Sequence, residues 1–195
     1  MSTAEPSDLR ARILAEATRL FMAYGYNGIS MREIAEAVGV SKAGLYYHYK
    51  DKEDLFLAIL NDSLGTMGQI VATARAAGPT AGDQIGALVR GLFEQPDEQR
   101  AIMRLAGQEL AHVAPAARAD FGRRYQEQFI GQVAAMLGAA SARGELRPID
   151  PLTLTWLLLG MMYPFFTAGH ARDEAAQERT IADLLALFFD GAAAD

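Results

Sequence analysis

The 195-residue chain is 51% hydrophobic and 22% charged, with 7 prolines and 9% aromatic residues; this is the composition of a folded globular protein and excludes a disordered or collagen-like chain. Its net charge of -6 argues against a protein that coats nucleic acid indiscriminately, although residues 1–52 lean basic, with seven Lys/Arg against six Asp/Glu. With no cysteine in the chain, disulfides and cysteine-based zinc or iron–sulfur sites are excluded.

From Met1 to Pro6 there is neither the basic stretch nor the apolar core of a signal peptide, so a cytoplasmic location is expected. Almost every later segment has helical period, and no alternating strands bounded by hairpin turns occur, so the fold class is all-α. Leu9, Ile13, Ala17, Leu20, Phe21 and Tyr24 form one apolar stripe and predict the first helix, which Gly25 can stop in the left-handed conformation. A second helix is predicted from Ser30, where Ser30-Met31-Arg32-Glu33 has capping-box spacing. Gly39 ends it, and Ser41 caps a third short helix from Lys42 to about Tyr49. Asp51 caps a long fourth helix running toward Arg75.

The best break in the chain is Ala76 to Gly82. Beyond it the pattern predicts helices at Asp83–Glu94, Asp97–His112, Ala116–Arg143, Pro151–Ala168 and Glu174–Asp190, with Asp150 capping the helix that begins at Pro151. The charge-free stretch from Leu152 to Gly169 is about 18 residues, the lower edge of membrane-spanning length. Three threonines and Pro164 interrupt it and no basic cluster flanks it, so a buried or dimer-interface helix is expected and no membrane.

Ser30 to Lys52 carries the functional signal. Ala35 is small where two helices would cross, Gly39 permits a tight turn, and Ile34, Val38, Val40, Leu45 and Tyr49 supply the apolar contacts of a helix-turn-helix. The third helix then presents Lys42, Ala43, Gly44, Tyr46, Tyr47 and His48. That face has donors, rings and little bulk at its start, and it suits the major groove of duplex DNA. Three aromatics, a histidine and two lysines between Leu45 and Lys52 cannot all face a core.

The run from Met31 to Leu55 closely resembles the signature of TetR-family transcriptional regulators, with the resemblance covering roughly residues 8–60. It implies a homodimeric bacterial repressor with a DNA-binding head, residues 1–52, and an effector-binding, dimerising helical body, residues 53–195. By similarity, Ser30, Ser41, Tyr46, His48 and Lys52 contact phosphates, and Arg32, Lys42, Ala43, Gly44 and Tyr47 lie nearest the bases. Hydroxyls and ammonium groups suit phosphate, and arginine and lysine suit guanine.

In the body, Met67, Phe93, Met103, Phe121, Tyr125, Phe129, Met136 and Trp156 are candidates to line a pocket for a small hydrophobic effector, with Gln108, Glu109 and His112 as polar anchors. Glu109 and His112 have the Glu-x-x-His spacing of di-iron bundles, but His48 and His170 have no Glu three residues before them, so neither a metal nor another cofactor is expected. No nucleotide loop, nucleophile elbow or triad order suggests an enzyme. The last two helices are the expected homodimer interface, since both are too apolar to be covered on one side only; the alternative is that both are central core. A regulator controlled by a protein partner, or by no ligand, is the alternative to an effector-released repressor; a helical-bundle enzyme is a third reading.

Overall fold

Local capping chemistry sets most of the element boundaries. In the computed structural model, which describes residues 6–167 and 174–192, every element is helical. They are α1 (Pro6–Tyr24), α2 (Met31–Val38), α3 (Lys42–His48), α4 (Lys52–Ala76), α5 (Ala81–Phe93), α6 (Asp97–Glu109), α7 (Pro115–Tyr125), α8 (Gly131–Ala142), α9 (Pro151–Thr167) and α10 (Glu174–Ala192). A 3₁₀ turn, Leu110–His112, follows α6, and a π-helical segment, Gln126–Ile130, joins α7 to α8. The expectations placed on Met1–Glu5, Ala168 and His170 fall outside the described residues.

The predicted caps form. Ser30 accepts from the Glu33 N–H while the Glu33 carboxylate accepts from the Ser30 N–H, closing the capping box of α2. Gly39 follows at φ 78, a left-handed conformation that a side chain would strain. Asp51 accepts from the Asp54 N–H at 2.8 Å and starts α4, and Asp150 accepts from the Thr153 N–H at 2.8 Å and starts α9. The α5 helix begins at Ala81, two residues before the expected Asp83, because Thr80 and Asp83 close a second capping box.

The single helix expected over Ala116–Arg143 is divided. Its turn widens at Gln126–Ile130, where the Gly131 N–H donates to the Gln126 carbonyl five residues back. A β-carbon on Gly131 would stand 3.0 Å from that oxygen, so glycine permits the close approach. Apolar period alone does not register the one residue that a π turn inserts.

By contacts the chain forms two compact units, residues 1–63 with 101–121, and residues 64–100 with 122–195. This grouping follows packing, whereas the expected division at Lys52 follows function.

The core of the first unit gathers Ile13, Ala17 and Phe21 of α1, Ile34 of α2, Leu45 of α3, and Leu55, Phe56 and Ile59 of α4, all essentially inaccessible to water. Ile102, Leu105 and Val113 are buried in the same cluster, which is why the segment 101–121 groups with the head. Burying side chains of this kind contributes about 1.5–3 kcal/mol each. The Phe21, Tyr26 and Phe56 rings meet with centroids 5.2–5.9 Å apart. Arg12 donates to the Val38 carbonyl at 3.0 Å and ties α1 to the end of α2.

In the second unit α8 packs against α5 and α9, and α10 against α5 and α9. Phe93 of α5 lies with its ring centroid 5.0 Å from Phe166 and 6.3 Å from Phe165. The Glu145 carboxylate accepts from the Ala81 N–H and pairs with Arg143; these partners hold its pKa below the usual carboxylate range. Leu154, Leu158 and Met162 of α9 are buried, whereas Leu152, Trp156, Leu157 and Tyr163 are exposed. The α9 helix is therefore core on one face and an uncovered apolar stripe on the other.

The α4 helix is the one described helix that is long and apolar enough to cross a membrane by length and composition. Leu55, Phe56, Ile59, Leu60, Leu64, Met67 and Val71 on it are buried inside the protein, as in a core helix.

Candidate nucleic-acid interface

Two short helices joined by a tight turn build the candidate interface. The Gly39 and Val40 N–H groups both donate to the Ala35 carbonyl at 3.0 Å, turning the chain sharply where Ala35 is buried. Ser41 then accepts from the Gly44 N–H at 3.0 Å and caps α3. Leu45 and Tyr49 anchor α3 in the core. Burial pushes the Tyr49 phenol above its ordinary pKa, with Arg10 offsetting part of the rise.

Four of the six residues expected on the outer face of α3 are exposed. On α3, Lys42 and Ala43 are exposed, Gly44 is partly covered, Tyr46 is 43% exposed and Tyr47 is 87% exposed. His48 is half-buried, its ring edge-on to Tyr47 at 5.3 Å. The Lys42 ammonium lies 5.7 Å from the Tyr46 ring centroid. Ser30, Arg32 and Ser41 are exposed as well. A ring as exposed as Tyr47 gains nothing from the core, and α3 is short enough to present its N-terminal residues to a groove.

Glu33 is held below the usual carboxylate range by the Ser30 hydroxyl first and the Ser30 backbone N–H second. Because the folded-state pKa is depressed, the box is complete above the ordinary glutamate range and loosens as acid protonates the carboxylate.

Lys52 sits differently from a free phosphate ligand. Its ammonium donates to the carbonyls of Tyr26 at 2.7 Å and Ile29 at 3.1 Å and lies 4.6 Å from the Tyr26 ring centroid. It thereby fixes the turn that leads into Ser30.

The same turn is held from the other side. His112 stacks parallel to Tyr26 with centroids 6.3 Å apart, and its Nδ1 lies 3.2 Å from Asn27 Nδ2. The Glu109 carboxylate is 3.7 Å from His112 Nε2, so the Glu-x-x-His pair engages itself and Asn27. Nearby, the Ala114 N–H donates to the Glu53 carboxylate at 2.8 Å. Sequence spacing gives no sign of these contacts, which join residues 61 and 85 positions apart. The Arg32–Glu36 ion pair, by contrast, is legible from its i,i+4 spacing.

The candidate effector residues are divided between the units. Met103, Gln108, Glu109, His112 and Phe121 belong to the first, with Gln108 and His112 exposed. Met67, Phe93, Tyr125, Phe129, Met136 and Trp156 belong to the second. There Met67, Phe93, Phe129 and Met136 are buried, Tyr125 is half-buried with its pKa pushed up to about 12 by burial, and Trp156 is 47% exposed on α9. Tyr125 and Phe129 are neighbours, with centroids 5.7 Å apart. A groove of about 430 Å³ opens in the second unit between Leu64–Arg75 and Glu127–Gln132, with Arg75 donating to Gln132 at its rim. None of the candidate effector residues lines it.

A helix-turn-helix at the N-terminus of an all-helical chain is the layout of a bacterial DNA-binding regulator. Residues 13–59 match the family model described as bacterial regulatory proteins, tetR family. Residues 13–59 are thus similar to the DNA-binding region of the TetR family of bacterial transcriptional regulators. It is 31% identical over 93 residues to the transcriptional repressor AcnR of Corynebacterium glutamicum, a match covering 48% of this chain and 45% of that protein. It is 25% identical over 189 residues to the transcriptional regulator RutR of Escherichia coli K12, covering 92% of this chain and 88% of that one. Both relatives are named as regulators rather than enzymes. The match to AcnR thus spans less than half of that protein's length. Among solved structures, AibR in complex with isovaleryl coenzyme A and operator DNA superposes with a TM-score of 0.76 at 24% identity, covering 92% of this chain and 97% of that chain.

Proposed function

We propose that this protein is a cytoplasmic, homodimeric repressor that binds a near-palindromic operator and is released by a small hydrophobic or amphipathic effector. The observation that carries this reading is the exposed Lys42, Ala43, Tyr46 and Tyr47 face of a helix whose opposite side, Leu45 and Tyr49, is locked in the core. Across this face and the residues flanking it, Ser30, Ser41, Tyr46, His48 and Lys52 meet phosphates, while Arg32, Lys42, Ala43, Gly44 and Tyr47 lie against base edges. Selection from a pool of random duplexes with the purified protein is expected to return a near-palindrome. Lys42→Ala is expected to change the base preferred at one position per half-site as well as weaken binding. Recovery of no sequence above background at modest ionic strength would overturn the DNA reading.

The effector enters the second unit. Its groove of about 430 Å³ lies within the range of small-ligand sites, roughly 300–1,000 Å³, and Leu64, Val71 and Ala72 are the apolar residues of its lining. The fold of AibR, crystallised with both a coenzyme A thioester and operator DNA, supports a ligand-responsive reading. The α4 helix contributes its first half to one unit and its second half to the other, so a ligand that shifts it changes the presentation of α3. A useful switch needs coupling of about 1–3 kcal/mol. A melting screen against apolar compounds is expected to find one that raises the melting temperature, since a ligand of the folded state stabilises it. That compound should also lower operator affinity; binding without that loss would favour control by a protein partner.

A further inference from the structure

The two carboxylates of α2 have different tasks. Glu33 is bound to Ser30 in the capping box, whereas Glu36, one turn beyond Arg32, places Oε1 3.4 Å from Arg32 Nε. Both side chains stand in solvent, 74% and 66% exposed, and an exposed i,i+4 pair adds little to stability. Its consequence lies in the orientation of the arginine.

Contact at the Nε edge leaves the two terminal guanidinium nitrogens open, and a pair of that kind matches the O6 and N7 acceptors of guanine in the major groove. An unrestrained arginine spreads over many rotamers and surrenders them on docking; one tethered at Nε has surrendered part of that freedom beforehand. The carboxylate also repels phosphates of any sequence, which weakens binding wherever Arg32 finds no guanine to offset it.

We infer that Glu36 is a positioning residue: it tethers Arg32 for guanine readout and so raises the ratio of specific to non-specific DNA affinity. The inference rests on the proposed placement of Arg32 at the bases.

Glu36→Gln removes the charge with little change of shape, and an exposed position keeps the fold intact. Binding is measured to the selected near-palindromic duplex and to a series with one base pair altered at a time. Glu36→Gln is expected to tighten binding to every duplex. At one base-pair position its preference should fall about twofold, the scale of an exposed i,i+4 pair, and Arg32→Ala should lose preference at that same position. In the Arg32→Ala background, Glu36→Gln should change no position's preference further. Unaltered preference in Glu36→Gln, or an equal loss in both backgrounds, would overturn the role given to Glu36. If Arg32→Ala itself leaves every preference intact, the base contact fails and the inference with it.

Discussion

Lys52→Met is expected to lower the stability of the protein by about 3 kcal/mol and its melting temperature by roughly 6–12 °C, read by circular dichroism. Two charge-assisted hydrogen bonds, to the carbonyls of Tyr26 and Ile29, are lost together with the ammonium over the Tyr26 ring. The carbonyls are left beside an apolar side chain, and that unmet demand supplies much of the cost. Operator binding, measured well below the melting transition, is expected to weaken for all duplexes alike, because Lys52 fixes the turn into Ser30 and reads no base. An ammonium has three N–H groups and two of them go to carbonyls; on the proposed reading the third meets a phosphate. The slope of log K against log salt should then shallow by about 0.9 in the variant. A slope equal to that of the wild type would confine Lys52 to the turn.

Leu157→Arg is expected to convert a dimer into a monomer and to reduce operator affinity by about 10²- to 10⁴-fold, the advantage that two linked heads hold over one. Leu152, Trp156, Leu157 and Tyr163 form an apolar stripe along the solvent face of α9, and Leu187 of α10 is 64% exposed. A stripe of that extent is characteristic of an association surface, and the two recognition helices of a dimer must reach grooves about 34 Å apart. Leu157 is 55% exposed, so a guanidinium there meets water in the monomer and disturbs no core. Trp156, the single tryptophan of the chain, reports directly on the stripe. Its emission should be blue-shifted in the wild type and shift to the red on dilution; in Leu157→Arg it should be red at all concentrations. Sedimentation of the wild type as a monomer at micromolar concentration would remove the proposed interface.

The parts of the molecule legible in its residues are those governed by neighbours within one turn. Ser30 with Glu33, Gly39, Ser41, Asp51 and Asp150 each satisfy or release backbone groups three or four positions away, so their order along the chain suffices to place α2, α3, α4 and α9. The exposed face of α3 follows from the same local logic, since Leu45 and Tyr49 fix which side turns inward. Contacts between distant residues were decided by tertiary packing. Lys52 reaches carbonyls 23 and 26 residues back, and His112 meets Asn27 across 85 residues. Such contacts form only when the whole core has closed around them, and no residue pattern encodes which long loop closes on which. The widened turn before Gly131 and the split of α9 into a buried and an exposed apolar face are decisions of the same kind. Periodicity tells a helix from a strand, but a helix that is apolar all round reveals which side is covered only when its neighbours are in place.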